Sequence, residues 1–313
     1  MGALRPAFAP LRKTCENGQM PQVTPPSGIF IEYESMGNPT DPTLLWIMGF
    51  GAQMTAWPDD FMQMFVDAGF HVVRFDNRDC GLSYKHDGVA VDVAAVTAAA
   101  VMGDPTPPVP YTLSDMAADA VGVLDALGIE KAHVVGASMG GMIAQTFAIE
   151  FPHRTHSLTS VMSVPGDMAY GTPTEEALTT LVAPPPSDRA AYIESAKNWS
   201  VWCSKKYFNL EEARDRAGRE FDRSFYPEGT SRQMAAIYAS GDRSEHLRAL
   251  SIPTLVIHGR DDTLLTPSGG ERTAELIPGS VLMMISDMGH DLPRELWSLY
   301  LDAITSHVRR AHS

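Results

Sequence analysis

One stretch near the middle of the chain, residues 131–142, constrains the fold more than any other. It reads as an apolar strand, a tight turn with Ser138 at its tip, and a helix that ends before Pro152. The turn matches Gly-x-Ser-x-Gly, in which Gly136 and Gly140 leave room for a neighbouring strand and helix while the serine is held above the sheet. The pattern predicts a nucleophile elbow, and the alternative is a phosphate-binding turn at a helix N-terminus.

Strands and helices alternate along most of the chain. Apolar or alternating runs predict strands near residues 28–34, 44–48, 70–75, 132–135, 156–163, 252–259 and 281–285. Apolar residues at helical spacing predict helices over residues 58–68 and 113–127, whereas residues 88–110 show no clear periodicity. This alternation is typical of an α/β fold, a mostly parallel sheet with helices on both faces.

The rhythm of strands stops between residues 163 and 251, where the chain becomes helical. We therefore predict a flexible N-terminal leader over residues 1–26, a core domain made of residues 27–163 and 251–313, and a helical cap, or lid, over residues 164–250. The cap is rich in aromatic residues, most of which are expected to pack within it. We expect Trp199 and Trp202 to line a substrate pocket.

The composition bears on partners and location. The chain has 313 residues and a net charge of −14, from 24 basic and 38 acidic side chains, so it offers no basic surface for nucleic acid or an anionic membrane. Its apolar runs are shorter than a membrane span, and residues 1–26 lack the apolar centre of a secretory signal. Three widely spaced cysteines indicate neither a disulfide framework nor a metal site. We expect a cytoplasmic protein without metal or cofactor, and the oligomeric state is left open.

A serine nucleophile needs a base, and the base needs a group that orients it. Of ten histidines, His290 alone stands on a glycine-containing loop just after the last predicted strand, whereas His258 lies inside a strand, where a structural or supporting role is expected. The preceding strand ends in Asp261 and Asp262, whose side chains point to opposite sides. We predict that Asp262 orients His290.

The negative charge that develops on a carbonyl oxygen during acyl transfer needs backbone N–H donors, each worth about 3–4 kcal/mol of barrier. One donor is expected at Met139, the residue after the serine, because it begins the elbow helix. The other is expected in the loop after the strand at residues 44–48, at Phe50.

These motifs resemble those of the α/β-hydrolase superfamily over residues 28–307. More narrowly, residues 47–58, 74–83 and 136–142 are similar to the esterase group that includes aclacinomycin methylesterase and related bacterial carboxylesterases. Many superfamily members carry His-Gly before the oxyanion residue, whereas this chain has Met48-Gly49, as the narrower group does.

The resemblance implies an α/β-hydrolase fold with a mostly parallel eight-stranded sheet and a helical cap inserted between strands. It also implies the triad Ser138, Asp262 and His290, with Phe50 and Met139 as oxyanion donors. We therefore expect a serine carboxylesterase that forms an acyl-enzyme with a small-molecule ester. The alternatives are thioester, lactone or carbon–carbon bond hydrolysis, perhydrolysis, or a ligand receptor with slow turnover. The run at residues 76–79 is expected to form a turn held by Arg–carboxylate hydrogen bonds rather than a metal or catalytic cluster.

Overall fold

The computed structural model describes residues 21–25 and 27–311, so the leader predicted over residues 1–26 lies largely outside the described residues. Within its described part, Gln22–Val23 forms a short strand, β1, that pairs with the strand after it. Val23 also packs against the hydrophobic core. Residues 22–23 thus extend the sheet at its edge, and the leader itself stays a prediction.

Eight strands form one sheet in the described part of the chain, in the order β1-β2-β4-β3-β5-β6-β7-β8. The strands after β1 are β2 Ile31–Met36, β3 Thr43–Ile47, β4 His71–Phe75, β5 Ala132–Ala137, β6 Thr155–Val161, β7 Thr254–Gly259 and β8 Val281–Ile285. Strand β2 is antiparallel to β1 and β4, and all other neighbours are parallel. The prediction of a mostly parallel eight-stranded sheet is confirmed.

Eleven α-helices accompany the sheet among the described residues. They are α1 Asp59–Asp67, α2 Val93–Met102, α3 Leu113–Ala126, α4 Met139–Glu150, α5 Glu175–Val182, α6 Arg189–Ser195, α7 Leu210–Arg223, α8 Glu228–Ala239, α9 Ser244–Arg248, α10 Ser268–Leu276 and α11 Trp297–Ala311. None of these described helices has the length and apolar character needed to cross a membrane.

The sheet is covered on both faces, as the alternation of strands and helices predicted, and the all-apolar run at residues 44–48 is typical of such a strand. Leu45 and Ile47 of β3 pack in one cluster with α3 and α4. Leu44 and Trp46 pack in the other cluster with α1 and α11. Alternate residues of a strand thus enter opposite layers. Because strands β3 to β8 run parallel, their carboxyl ends lie along one edge of the sheet.

Helix α2 lies in the stretch without periodicity. It begins after Asp92, whose side chain accepts a hydrogen bond from the N–H of Ala95, and ends at Gly103, whose φ is 73°. Its sequence is almost uniformly Ala and Val, so no polar face marks a helical period. This helix was therefore not predicted from the sequence.

Helices α5 to α9 follow one another between β6 and β7, the span predicted as a cap. Ala196, Ala213 and Ala217 form a small separate cluster around α6 and α7. Ala236 of α8 and Leu247 of α9, in contrast, belong to the cluster of α3 and α4. The insertion is therefore only partly independent of the core, and its predicted boundaries at residues 164 and 250 stay a prediction.

Candidate active site

Ser138 lies between the end of β5 and the first residue of α4, with φ 57° and ψ −125°. A positive φ is unfavourable for a residue with a Cβ, so the surroundings must hold it. A Cβ at Gly136 would lie 2.0 Å from the carbonyl oxygen of Gly140, and a Cβ at Gly140 would lie 2.1 Å from that of Ile47. Both predicted glycines are thus required by close approaches between backbone segments.

His290 and Asp262 meet above the ends of β7 and β8. The Nδ1 atom of His290 lies 2.7 Å from Oδ2 of Asp262. The other carboxylate oxygen accepts the backbone N–H groups of Leu264 and Leu265, each at 2.9 Å. Every strong contact of this carboxylate is therefore with a donor, and its orientation relative to the imidazole is fixed.

A second histidine lies behind the acid. Nε2 of His258 is 2.7 Å from the carbonyl oxygen of Leu265 and 3.5 Å from Oδ2 of Asp262. Because a carbonyl only accepts, this nitrogen carries the proton. Burial opposes ionisation of Asp262, but the charge of His290 and the hydrogen bonds from both histidines outweigh it and lower the pKa of Asp262 to about 2. His258 thus has the supporting place expected for it.

One large cavity, of about 1810 Å³, opens at this edge of the sheet. Six of the predicted site residues line it: Phe50, Ser138, Met139, Trp199, Trp202 and His290. Asp262 lies behind His290, and the elbow glycines lie beneath the turn. The structure therefore brings all the predicted residues to one place, although only part of them faces the cavity.

The loop after β3 approaches the serine closely. A Cβ at Gly49 would lie 3.0 Å from Cβ and 3.5 Å from Oγ of Ser138. The N–H of Gly51 donates to Oε1 of Gln233 in α8 at 2.9 Å. Phe50 lies between these two glycines, and Met139 begins α4, where N–H groups have no partner within the helix.

The chain matches a known protein family over most of its length. The model of the family described as the alpha/beta hydrolase fold matches residues 42–293, which is most of the chain. The chain belongs to this family. Its elbow, acid and histidine follow one another in the order typical of the alpha/beta hydrolase fold.

Two related proteins and one solved structure resemble the chain over most of its length. Rhodomycin D methylesterase of Streptomyces peucetius is 28% identical over 303 residues, which cover 89% of this chain and 94% of that protein. A 2-hydroxy-6-oxononadienedioate/2-hydroxy-6-oxononatrienedioate hydrolase of Pseudomonas is 27% identical, over 80% of this chain and 82% of that one. The structure of a meta-cleavage product hydrolase from Pseudomonas fluorescens aligns with a TM-score of 0.72 at 20% identity, over 93% of this chain and 98% of that one, which shows a shared fold. The resemblance to the methylesterase group is confirmed.

In this alpha/beta hydrolase, residues 76–79 connect β4 to helices rather than forming a separate site. Their ion pairs are Arg78–Asp119, Asp79–Arg232 and Asp76–Arg223, each with an N–O distance of 2.7 Å. The turn does use Arg–carboxylate contacts, as expected, but the partners lie in α3, α7 and α8. Within the part of the chain that the structure describes, no group of three or more His, Cys, Asp or Glu side chains is arranged to hold a metal.

Sequence reasoning missed several residues around the site. Gly141 is as constrained as its neighbour, because a Cβ there would lie 2.5 Å from Cβ of Ser163. The consecutive glycines at 140 and 141 were a usable signal for it. Gln233 and Ser204 carried no such signal, since their contacts join segments that are distant along the chain.

Proposed function

We propose that the chain is a serine carboxylesterase in which Ser138 is the nucleophile, His290 the base and Asp262 the group that orients the base. The observation that carries the proposal is the 2.7 Å contact between His290 Nδ1 and Asp262 Oδ2, with His290 lining the same cavity as Ser138. An ionised Asp262 accepts the proton of Nδ1, so Nε2 presents its lone pair to the cavity.

The reaction has two halves. Oγ of Ser138 bonds to the ester carbonyl carbon while its proton passes to Nε2 of His290, and the imidazolium then returns that proton to the leaving alcohol. Water attacks the acyl-enzyme with the same base, and the carboxylic acid leaves as Ser138 regains its proton. The chemistry of both halves needs no group beyond these side chains and the backbone.

The negative oxygen of each tetrahedral intermediate is proposed to accept the N–H groups of Phe50 and Met139. Two features support this assignment: the close approach of Gly49 to Ser138, and the position of Met139 at the start of α4. The positive end of the helix dipole adds to the stabilisation of an anion at that point.

The similarity to rhodomycin D methylesterase supports an ester substrate. A cavity of about 1810 Å³ exceeds the roughly 300–1,000 Å³ of most small-molecule sites, which favours an ester of a bulky molecule. Trp199 and Trp202 are proposed to contact it, and a cytoplasmic location remains part of the proposal. Substituting either tryptophan by alanine should change the ratio of kcat/KM for long and short acyl chains. A loss of thermal stability with an unchanged ratio would remove that tryptophan from the pocket.

A second candidate is hydrolysis of a carbon–carbon bond. It is favoured by the similarity to the 2-hydroxy-6-oxononadienedioate hydrolase, whose named substrate has a ketone and carboxylates but no ester. A vinylogous keto acid of this kind tests it directly, by loss of its ultraviolet absorbance.

The deciding experiment measures steady-state hydrolysis of p-nitrophenyl acetate, butyrate and a longer ester by the wild type, Ser138→Ala and Ser200→Ala. Ser138→Ala should lower kcat/KM by a factor of about 10⁴. Ser200 is exposed and its hydroxyl bonds only locally, to the carbonyl of Lys197, so its variant should match the wild type. Wild-type turnover that survives in Ser138→Ala would refute the nucleophile. Ligand binding without turnover by the wild type would favour a receptor.

A further inference from the structure

The loop that carries His290, residues 287–291, is bonded directly to the helical insertion. The backbone N–H of His290 donates to the carbonyl oxygen of Trp202 at 2.6 Å. The hydroxyl of Ser204 donates to the carbonyl oxygen of Asp287 at 2.5 Å. We name residues 287–291 the histidine loop, and its backbone thus has two hydrogen bonds to a single short segment of the insertion.

Two further hydrogen bonds strengthen the connection between the histidine loop and the insertion. The N–H of Ser204 donates to Oδ1 of Asp291 at 2.9 Å, and the N–H of Gly289 donates to the same oxygen at 3.2 Å. A Cβ at Gly289 would lie 2.3 Å from the carbonyl oxygen of Trp202, so the two backbones are in close contact. The histidine loop therefore has no space to shift towards the insertion.

Ser204 is the centre of these contacts. It is fully buried, and its Oγ accepts the N–H groups of Tyr207 at 3.0 Å and Lys206 at 3.3 Å. These two donors occupy its lone pairs, so its own proton is directed at Asp287. The backbone of Asp287 has φ 63°, a conformation that a residue with a side chain adopts at a cost and that neighbouring contacts must hold.

We infer that Ser204 is a positioning residue for His290, through the histidine loop. This inference rests on the proposed function, because it assigns Ser204 to the same reaction. The same contacts join residues 202–204 of the insertion to the backbone that carries the imidazole. Ser204 has no hydrogen bond to Ser138 or Asp262, so we expect it to affect turnover through the position of the imidazole.

The test compares Ser204→Ala with Ser200→Ala, the same change four residues away on the surface. Two quantities are measured: kcat and KM for a p-nitrophenyl ester, and hydrogen–deuterium exchange in peptides that contain residues 287–291. Ser204→Ala should lower kcat by about tenfold or more with KM within twofold, because small misplacements of a catalytic group are costly. It should also speed exchange in the histidine loop, and Ser200→Ala should change neither quantity.

A kcat within twofold of the wild type would overturn the inference even if exchange increased, since Ser204 would then serve stability alone. Unchanged exchange in the histidine loop would overturn it as well. If Ser204→Ala does not fold, Ser204→Cys keeps the volume with a weaker donor and should shift both quantities in the same direction. Failure of the proposed function is distinguishable, because it appears as a wild type without ester turnover. In that case the role of Ser204 in the reaction falls with the proposed function, whatever the exchange measurement shows.

Discussion

Ser138 and His290 are held in the cavity by different means. The serine turn is fixed by backbone packing, in which Gly136 and Gly140 allow the elbow, its helix and β3 to touch. The histidine loop is fixed by hydrogen bonds to Ser204, a residue 83 positions away from Asp287. The first arrangement consists of close backbone approaches, whereas the second combines a close approach at Gly289 with hydrogen bonds of individual polar groups. The two sides of the site should therefore fail under different substitutions.

The largest expected effect comes from comparing a glycine of the serine turn with a glycine inside a helix of the insertion, where an added carbon has room. Gly140→Ala places a Cβ 2.1 Å from a backbone oxygen of Ile47, so it should lower the free energy of unfolding by about 4 kcal/mol or more. Gly218→Ala, inside α7, places a Cβ 3.4 Å from a side-chain carbon of Ile193 and should stabilise by about 0.5–1 kcal/mol. Urea unfolding measures both changes, and similar values for the two variants would contradict the comparison.

Among the contacts between the insertion and the core, we expect one buried ion pair to contribute most to stability. Arg232 of α8 binds both oxygens of Asp79, and their side chains are 6% and 0% exposed. Arg232→Met leaves a buried carboxylate without its cation and should lower the free energy of unfolding by about 3 kcal/mol. Arg189 forms a similar pair with Asp222 on the surface, so Arg189→Met is the matched control and should have no measurable effect. Equal losses of unfolding free energy in the two variants would show that burial of the ion pair does not determine its contribution to stability.

The same contrast explains what the sequence could predict. The elbow, the sheet and the pairing of Asp262 with His290 depend on short patterns: glycine spacing, apolar runs and the position of a loop after a strand. The junctions made by Ser204 and Gln233 depend on which distant segments meet, and no local pattern encodes that. Helix α2 was missed for a third reason, since its sequence is almost entirely Ala and Val and has no period to detect.

The loop after β3 offers a test in which we expect an effect of intermediate size on kcat/KM. Gln233 is fully buried, accepts the N–H of Gly51 at 2.9 Å and donates to the carbonyl of Arg78 at 2.9 Å. Gln233→Leu keeps a similar volume but leaves both backbone groups without a partner, which should loosen the loop around Phe50. We expect kcat/KM to fall about tenfold, less than for loss of a complete oxyanion donor.

Its control is Gln63→Leu, because Gln63 is only half-buried on α1 and its amide donates to the exposed carboxylate of Asp67. That variant should keep the kcat/KM of the wild type. An unchanged kcat/KM in Gln233→Leu would mean that the loop keeps its shape without the insertion. The dependence of the site on the insertion would then be limited to the histidine loop.

The smallest effect concerns two carboxylates near His290, those of Asp262 and Asp291. Burial opposes ionisation of Asp262, but contacts with the two histidines lower its pKa from 3.8 to about 2. Burial raises the pKa of Asp291, and the N–H groups of Ser204 and Gly289 only partly offset this. The two groups should therefore affect stability at different pH.

The signs of the two effects are opposite. The stability that Asp262 contributes is complete above pH 3.8 and is lost as the pH falls through about 2. The contribution of Asp291 is complete below pH 3.8, the ordinary value, and is lost as the pH rises through its raised pKa. Urea unfolding from pH 2.5 to 6 should thus show a smaller dependence below pH 3.8 in Asp262→Asn and a smaller dependence above it in Asp291→Asn. If both variants flattened the same part of the curve, the two carboxylates would share one environment, and the contacts with the two histidines would not set Asp262 apart from Asp291.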